Sequence, residues 1–166
     1  RVIFVIGEAG SGKTALVQEF ARRVQETYPE LVVASGKCNA HAGIGDPYLP
    51  FIEILSLLTG DVEAKWTAGV ISREHALRLW NLLPLSVKAL LDDGQDLVNL
   101  FVPGAALASR GEAFSSRMTS WLAGLKKLVD RKSSLPADLM LQQSNLLEQY
   151  TRVLQDLAKE KPLLLI

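Results

Sequence analysis

Residues 2–14 read Val-Ile-Phe-Val-Ile-Gly-Glu-Ala-Gly-Ser-Gly-Lys-Thr. The first five are apolar residues that favour strands, and an unbroken run of this kind predicts a strand buried on both faces, as in a parallel sheet. A glycine-rich turn follows, and from Lys13 to about Glu26 apolar residues recur at helical spacing. A second apolar run at residues 31–34 predicts another strand. Residues 1–38 are therefore expected to form a strand–helix–strand unit with a right-handed crossover.

The turn matches the pattern G-x-x-x-x-G-K-[ST] in full. Its residues are Gly7, Glu8, Ala9, Gly10, Ser11, Gly12, Lys13 and Thr14. A loop of this kind folds around a polyphosphate with its backbone N–H groups pointing inward, and glycines permit that close approach because they lack a Cβ. Lys13 is expected to contact the β- and γ-phosphates, and the Thr14 hydroxyl is expected to bind Mg²⁺. The helix that follows directs its positive N-terminal end at the same anion.

The middle of the chain, residues 50–134, predicts a large helical insert. Ser72 is expected to cap a helix that Pro84 ends, and a second short helix is expected to end at Asp93 before Gly94. Residues 103–111 are rich in small residues and are typical of a linker. This region is thus expected to consist of short helices joined by turns.

Residues 136–166 predict a long helix and the start of a buried strand, Leu163-Leu164-Leu165-Ile166. In phosphate-loop proteins an acidic residue that helps to bind Mg²⁺ usually follows such a strand (the Walker B position). Asp92 and Asp93 also follow an apolar run, but Ser86 before them and Gly94 after them favour a helix end. We therefore expect the metal-binding acid to come after Ile166, which would make this sequence a truncated part of its domain.

Length, composition and charge restrict the classes of protein that remain. The chain has 166 residues, 18 Lys and Arg, and 18 Asp and Glu, so it fits one globular domain without the basic excess of a dedicated nucleic-acid-binding protein. A single cysteine and two histidines argue against disulfides and the usual zinc sites. No apolar run is long enough to span a membrane, and the N-terminal residues lack the layout of a signal peptide. A cytoplasmic location is expected.

Two further segments accompany the phosphate loop: Gly36-Lys37-Cys38, and Asp46-Pro47-Tyr48-Leu49-Pro50-Phe51. With them, and with the C-terminal apolar strand, the chain resembles the STAND class of P-loop ATPases. More narrowly, it is similar to the AAA-type ATPase modules of large bacterial signalling proteins. The resemblance covers both ends of the chain, whereas residues 61–134 carry no motif of that family.

The resemblance implies a P-loop NTPase three-layer α/β fold with a parallel sheet, of which residues 1–166 would form the N-terminal part. It implies ATP or ADP with Mg²⁺ as ligands, and a nucleotide-dependent switch that acts on neighbouring sensor or effector domains, with oligomers possible. Only residues 7–14 can be assigned to the site. The remaining catalytic residues would lie beyond Ile166, so this chain is expected to hydrolyse ATP weakly or not at all.

Two alternatives remain open. A P-loop small-molecule or nucleotide kinase would use the same loop, and an interaction module could hold a nucleotide without hydrolysing it. Strand order separates the first alternative from an ATPase, because the strand at residues 2–6 would pair directly with residues 163–166 in a kinase. In an AAA-type ATPase another strand lies between them, which would put them roughly 10 Å apart.

Five other residues carry predictions of their own. Cys38 is expected to be a buried small apolar residue. His41 could reach a nucleotide or a partner, and His75 is expected on the surface in the first turn of its helix. Tyr48, with Phe51 beside it, is expected to pack the following helix onto the core.

Overall fold

The structure is a computed structural model that describes residues 1–38, 46–115, 120–133 and 143–166. Its helices are α1 (Lys13–Thr27), α2 (Leu49–Leu58), α3 (Glu63–Thr67), α4 (Arg73–Asp93), α5 (Gly104–Phe114), α6 (Ser120–Ser133) and α7 (Gln143–Glu160), with a 3₁₀ turn at Gln95–Leu97. Its strands are β1 (Val32–Ala34) and β2 (Leu163–Leu165). The expected start of the last helix near Pro136 lies outside the described residues. None of the described helices has both the length and the apolar character needed to cross a membrane.

The two strands form a parallel sheet. Val33 is the register partner of Leu164, and the backbone ladder continues beyond the strands, since the N–H of Gly36 donates to the carbonyl oxygen of Ile166 at 2.8 Å. A parallel pair requires a crossover between the strands, and here the crossover contains all the helices from α2 to α7. The parallel pair of strands and the many helices confirm the predicted α/β class and the parallel sheet.

Helices cover both faces of β1. Its residues alternate, so that Val32 and Ala34 belong to the large core shared with α2 and α4. Leu31 and Val33 face the opposite side, where they form a smaller cluster with Ala21 of α1. The sheet therefore lies between α1 on one side and the helical insert on the other, which explains why all three residues of β1 are buried.

The large core joins the insert to the helix that leads into β2. The side chains that α7 buries in it recur at helical spacing: Leu146, Tyr150, Val153 and Leu157. A reciprocal pair of hydrogen bonds adds to this packing, because Gln149 accepts from the N–H of Asp96 at 3.0 Å and donates to its carboxylate at 2.8 Å. Polar and apolar contacts together fix α7, and hence β2, to the insert.

The expected strand at residues 2–6 is wrong. These residues form no strand, and Phe4 is 83% and Ile6 91% exposed. A strand buried on both faces needs neighbouring strands at its edges, and the two described strands pair with each other. The strand–helix–strand unit expected for residues 1–38 is thus reduced to α1 and β1. Because residues 2–6 form no strand, the strand order that separates an ATPase from a kinase is not tested, and the spacing of roughly 10 Å stays a prediction.

Pro84 does not end a helix, because α4 runs through it to Asp93. A proline inside a helix removes one backbone hydrogen bond and is costly. Buried packing on both sides of it offsets that cost, since Leu83 and Val87 are 0% exposed. The buried Ser86 hydroxyl also donates to the carbonyl oxygen of Leu58 at 2.5 Å, which fixes α4 to the end of α2.

Residues 103–111 belong mainly to α5 and do not form a linker. The side-chain oxygen of Asn99 accepts from the N–H of Gly104 at 2.9 Å and so satisfies one free amide at the start of the helix. Gly104 and Gly111 are buried. A Cβ on Gly111 would lie 2.9 Å from a methyl group of Leu122. The small residues of this segment therefore serve close packing between helices.

Candidate functional site

The backbone of the phosphate loop adopts conformations that favour glycine at two positions. Gly10 has φ +79° and Gly12, the residue before α1, has φ +83°. Both angles lie in the left-handed region, which residues with a Cβ adopt at a cost. The N–H of Ser11 donates to the carbonyl oxygen of Glu8 at 3.2 Å and closes the turn between them. Two glycines of the motif are therefore explained by the shape of the loop alone.

The third glycine lies close to the side chains of Ser11 and Lys13. A Cβ on Gly7 would lie 2.9 Å from the hydroxyl oxygen of Ser11 and 3.8 Å from Cδ of Lys13. Gly7 thus lies beside the aliphatic part of the Lys13 side chain.

The Lys13 side chain lies back across the loop. Its Nζ donates to the carbonyl oxygens of Gly7 at 3.0 Å and Glu8 at 2.7 Å. An ammonium group has three N–H donors, so one remains for a ligand after these two bonds are made. The two carbonyls hold the positive charge above the turn without neutralising it.

Four backbone amides of the loop and of the start of α1 are unpaired within the described ranges. The N–H groups of Gly10, Gly12, Lys13 and Thr14 have no protein acceptor among the described residues. No side chain caps α1, and its first turn contains no acidic residue, although these are the usual ways to satisfy or neutralise a helix start. The free amides and the ammonium therefore present only hydrogen-bond donors and positive charge, a combination that suits a polyphosphate.

Thr14 follows the lysine in the first turn of α1 and is exposed. Within the described part of the chain its hydroxyl has no hydrogen-bond partner, so it is available to a metal ion held by bound phosphate. The side chains of Glu8 and Ala9 are exposed as well. Glu8 contributes to the loop through its backbone carbonyl, which accepts from Lys13 and Ser11.

The other predicted residues lie apart from this loop. Asp92 and Asp93 end α4 before Gly94, as the sequence favoured, and Asp93 lies 3.9 Å from Arg152. The prediction that Cys38 is buried is wrong, because it is exposed after the end of β1. His41 lies outside the described residues.

His75 lies in the first turn of α4, where Ser72 caps the helix as predicted, but it is half-buried and not simply a surface residue. Its Nε2 lies 2.8 Å from the carbonyl oxygen of Val33 in β1. Burial lowers the pKa of His75 below its ordinary value, and the positive charges of Arg78 and Lys65 act in the same direction. The imidazole joins the helix to the edge of the sheet opposite β2.

The segment before α2 packs as expected. Tyr48 contacts Phe101 with ring centroids 5.5 Å apart, and Phe51 meets Tyr150 edge-on at 5.4 Å. Sequence reasoning did not find the hydrogen bond that lies beside them, in which the Lys37 N–H donates to Glu53 Oε2 at 2.9 Å. The pattern could have indicated it, because Glu53 follows Pro50 by three residues and so projects near the helix start.

The family model described as "AAA ATPase domain" matches residues 1–166. Searches of curated proteins and of solved structures found no significant match to the chain. The matched region includes the phosphate loop, both strands and all the helices of the insert.

Proposed function

The chain belongs to the AAA ATPase domain family, and from this premise we propose that residues 7–14 bind ATP or ADP together with Mg²⁺. Membership of the family implies a P-loop NTPase fold and a nucleotide ligand. Two observations carry the assignment to these residues: the Lys13 ammonium lies across the loop, and four backbone amides of the same segment have no acceptor among the described residues.

Each group of the loop has a distinct role in this proposal. The amides of Gly10, Gly12, Lys13 and Thr14 donate to phosphate oxygens, and the remaining N–H of the ammonium contacts the β- and γ-phosphates. The Thr14 hydroxyl is a ligand of Mg²⁺. When bound, the metal ion neutralises part of the phosphate charge. ATP is chosen over GTP on the family match alone.

We further propose that this ATP-binding part belongs to a signal-transduction ATPase and works as a nucleotide-dependent switch. The segments 36–38 and 46–51, which resemble those of signalling ATPases, support this role. The fixed connection from the insert through α7 to β2 supports it too, because a shift at the end of β2 would move the insert as a unit. Sensor or effector domains are the partners this role requires.

Titration calorimetry with Mg·ATP tests the assignment. Lys13→Ala removes charge-assisted hydrogen bonds worth about 1.5–3 kcal/mol, so the affinity should fall roughly ten- to more than a hundredfold. The matched control is Lys127→Ala, which removes an exposed lysine from α6 and should leave the affinity unchanged. Equal affinities for wild type and Lys13→Ala would show that the loop does not hold the nucleotide.

A further inference from the structure

Two sequence segments that the phosphate loop leaves unexplained, residues 36–38 and 46–51, lie against each other. A Cβ on Gly36 would be 2.2 Å from the carbonyl oxygen of Pro50, so the end of β1 touches the first turn of α2 directly. The next residue, Lys37, donates its backbone N–H to Glu53 Oε2 at 2.9 Å. The chain after β1 is thus held on α2 by close packing at one residue and by a hydrogen bond at the next.

Gly36, which packs on α2, also forms a hydrogen bond with the residue that follows β2. The N–H of Gly36 donates to the carbonyl oxygen of Ile166 at 2.8 Å, and the N–H of Ile166 donates to Ala34 at 3.0 Å. Gly36 therefore bonds to the last residue after β2 while its other side packs on Pro50. The carboxyl ends of both strands are thus connected to α2 through residues 36–37.

The phosphate loop lies toward this end of the sheet. Ala21 of α1 packs with Val33 of β1, and the short turn between the helix and the strand reverses the direction of the chain. Lys13 lies eight residues before Ala21, about 12 Å along the helix. Lys37 lies four residues after Val33, about 13 Å along an extended chain. Because α1 and β1 run in opposite directions, Lys13 and Lys37 are both displaced toward the carboxyl end of β1.

We propose that Glu53 is a positioning residue for the nucleotide site. Its carboxylate accepts a hydrogen bond from the Lys37 amide. This bond fixes the carboxyl ends of β1 and β2, which lie toward the same end of the sheet as residues 7–14. The inference rests on the proposed function of that loop. Glutamine at this position keeps an acceptor oxygen, whereas alanine removes it.

The test compares Glu53→Ala with Glu53→Gln, using Glu63→Ala as a control that removes an exposed glutamate from α3. Titration calorimetry measures the Mg·ATP affinity, and hydrogen exchange by NMR measures protection of the Lys37 amide. Glu53→Ala should weaken ATP binding about fivefold and speed exchange at Lys37 at least fivefold. Glu53→Gln should stay within about twofold of wild type in both, and Glu63→Ala should match wild type.

The outcomes separate this inference from the function on which it rests. Unchanged ATP affinity in Glu53→Ala, when the wild type binds ATP and Lys13→Ala binds it more weakly, overturns the positioning role alone. A loss in Glu53→Gln as large as that in Glu53→Ala also overturns it, because the acceptor oxygen would then not be what matters. A wild-type protein that binds no ATP overturns both the proposed function and the positioning role.

Discussion

Gly36→Ala should destabilise the protein more than any alanine substitution at a glycine in open space. The added Cβ would lie 2.2 Å from the carbonyl oxygen of Pro50 and 2.7 Å from its carbonyl carbon and Cα. All three are backbone atoms at the start of α2, so no side-chain rotation can relieve the contact. The helix and the strand must separate, and the Lys37–Glu53 hydrogen bond must lengthen with them.

The size of the effect follows from packing energies. Overfilling a packed site typically lowers the free energy of unfolding by about 1–3 kcal/mol. The contact here is with fixed backbone atoms, so we expect the upper value, about 3 kcal/mol. For a chain of this length each kcal/mol lowers Tm by about 2–4 °C, so the expected decrease is roughly 6–12 °C. Thermal unfolding followed by circular dichroism measures it.

Gly69→Ala is the matched control, because Gly69 has φ +68° and a Cβ there would meet no atom within 4 Å. The Gly69→Ala substitution destabilises the folded state by about 1–2 kcal/mol, because alanine adopts the left-handed backbone with strain. About 0.4–1 kcal/mol of this effect is offset, because alanine has a lower conformational entropy than glycine in the unfolded chain. The net cost is near 1 kcal/mol. If Gly36→Ala lowers Tm no more than Gly69→Ala does, the close contact between β1 and α2 is not present in solution.

Two other predictions concern a buried hydroxyl and a half-buried imidazole. Ser86→Ala removes the hydrogen bond to Leu58 in a fully buried position, so the free energy of unfolding in urea should fall by about 1–3 kcal/mol, and an unchanged value would contradict the contact. Because burial lowers the pKa of His75, its contribution to stability is complete above about pH 6.5 and is lost as the pH falls through the folded-state pKa. Tm should therefore fall more steeply between about pH 7.5 and 5 in the wild type than in His75→Gln, whereas parallel curves would show that His75 is not responsible.

Local patterns predicted the parts of the fold that depend on nearby residues. The start of α1 at Lys13, the cap at Ser72 and the strand at residues 32–34 follow from propensity, capping and periodicity. The predictions failed where distant contacts decide the structure. Residues 2–6 have the composition of a buried strand, but burial requires neighbouring strands that no local pattern can supply.

The helical insert shows the same limit. Pro84 and the glycines of α5 are typical of breaks in a chain, yet packing against other helices holds both segments helical. In the candidate site, the motif indicated residues 7–14, and their binding of phosphate stays a prediction. It did not predict the lysine bonds to Gly7 and Glu8, nor the attachment of residues 36–37 to Glu53, because these depend on how separate segments meet in three dimensions.

The most direct test of the nucleotide site is an NMR titration of the ¹⁵N-labelled chain with Mg·ATP that follows individual backbone amides. Saturation should shift the signals of Gly10, Gly12, Lys13 and Thr14 more than those of amides elsewhere in the described residues. ATP binding without a shift of these four signals, or no binding at all, would contradict the proposal that residues 7–14 bind the nucleotide.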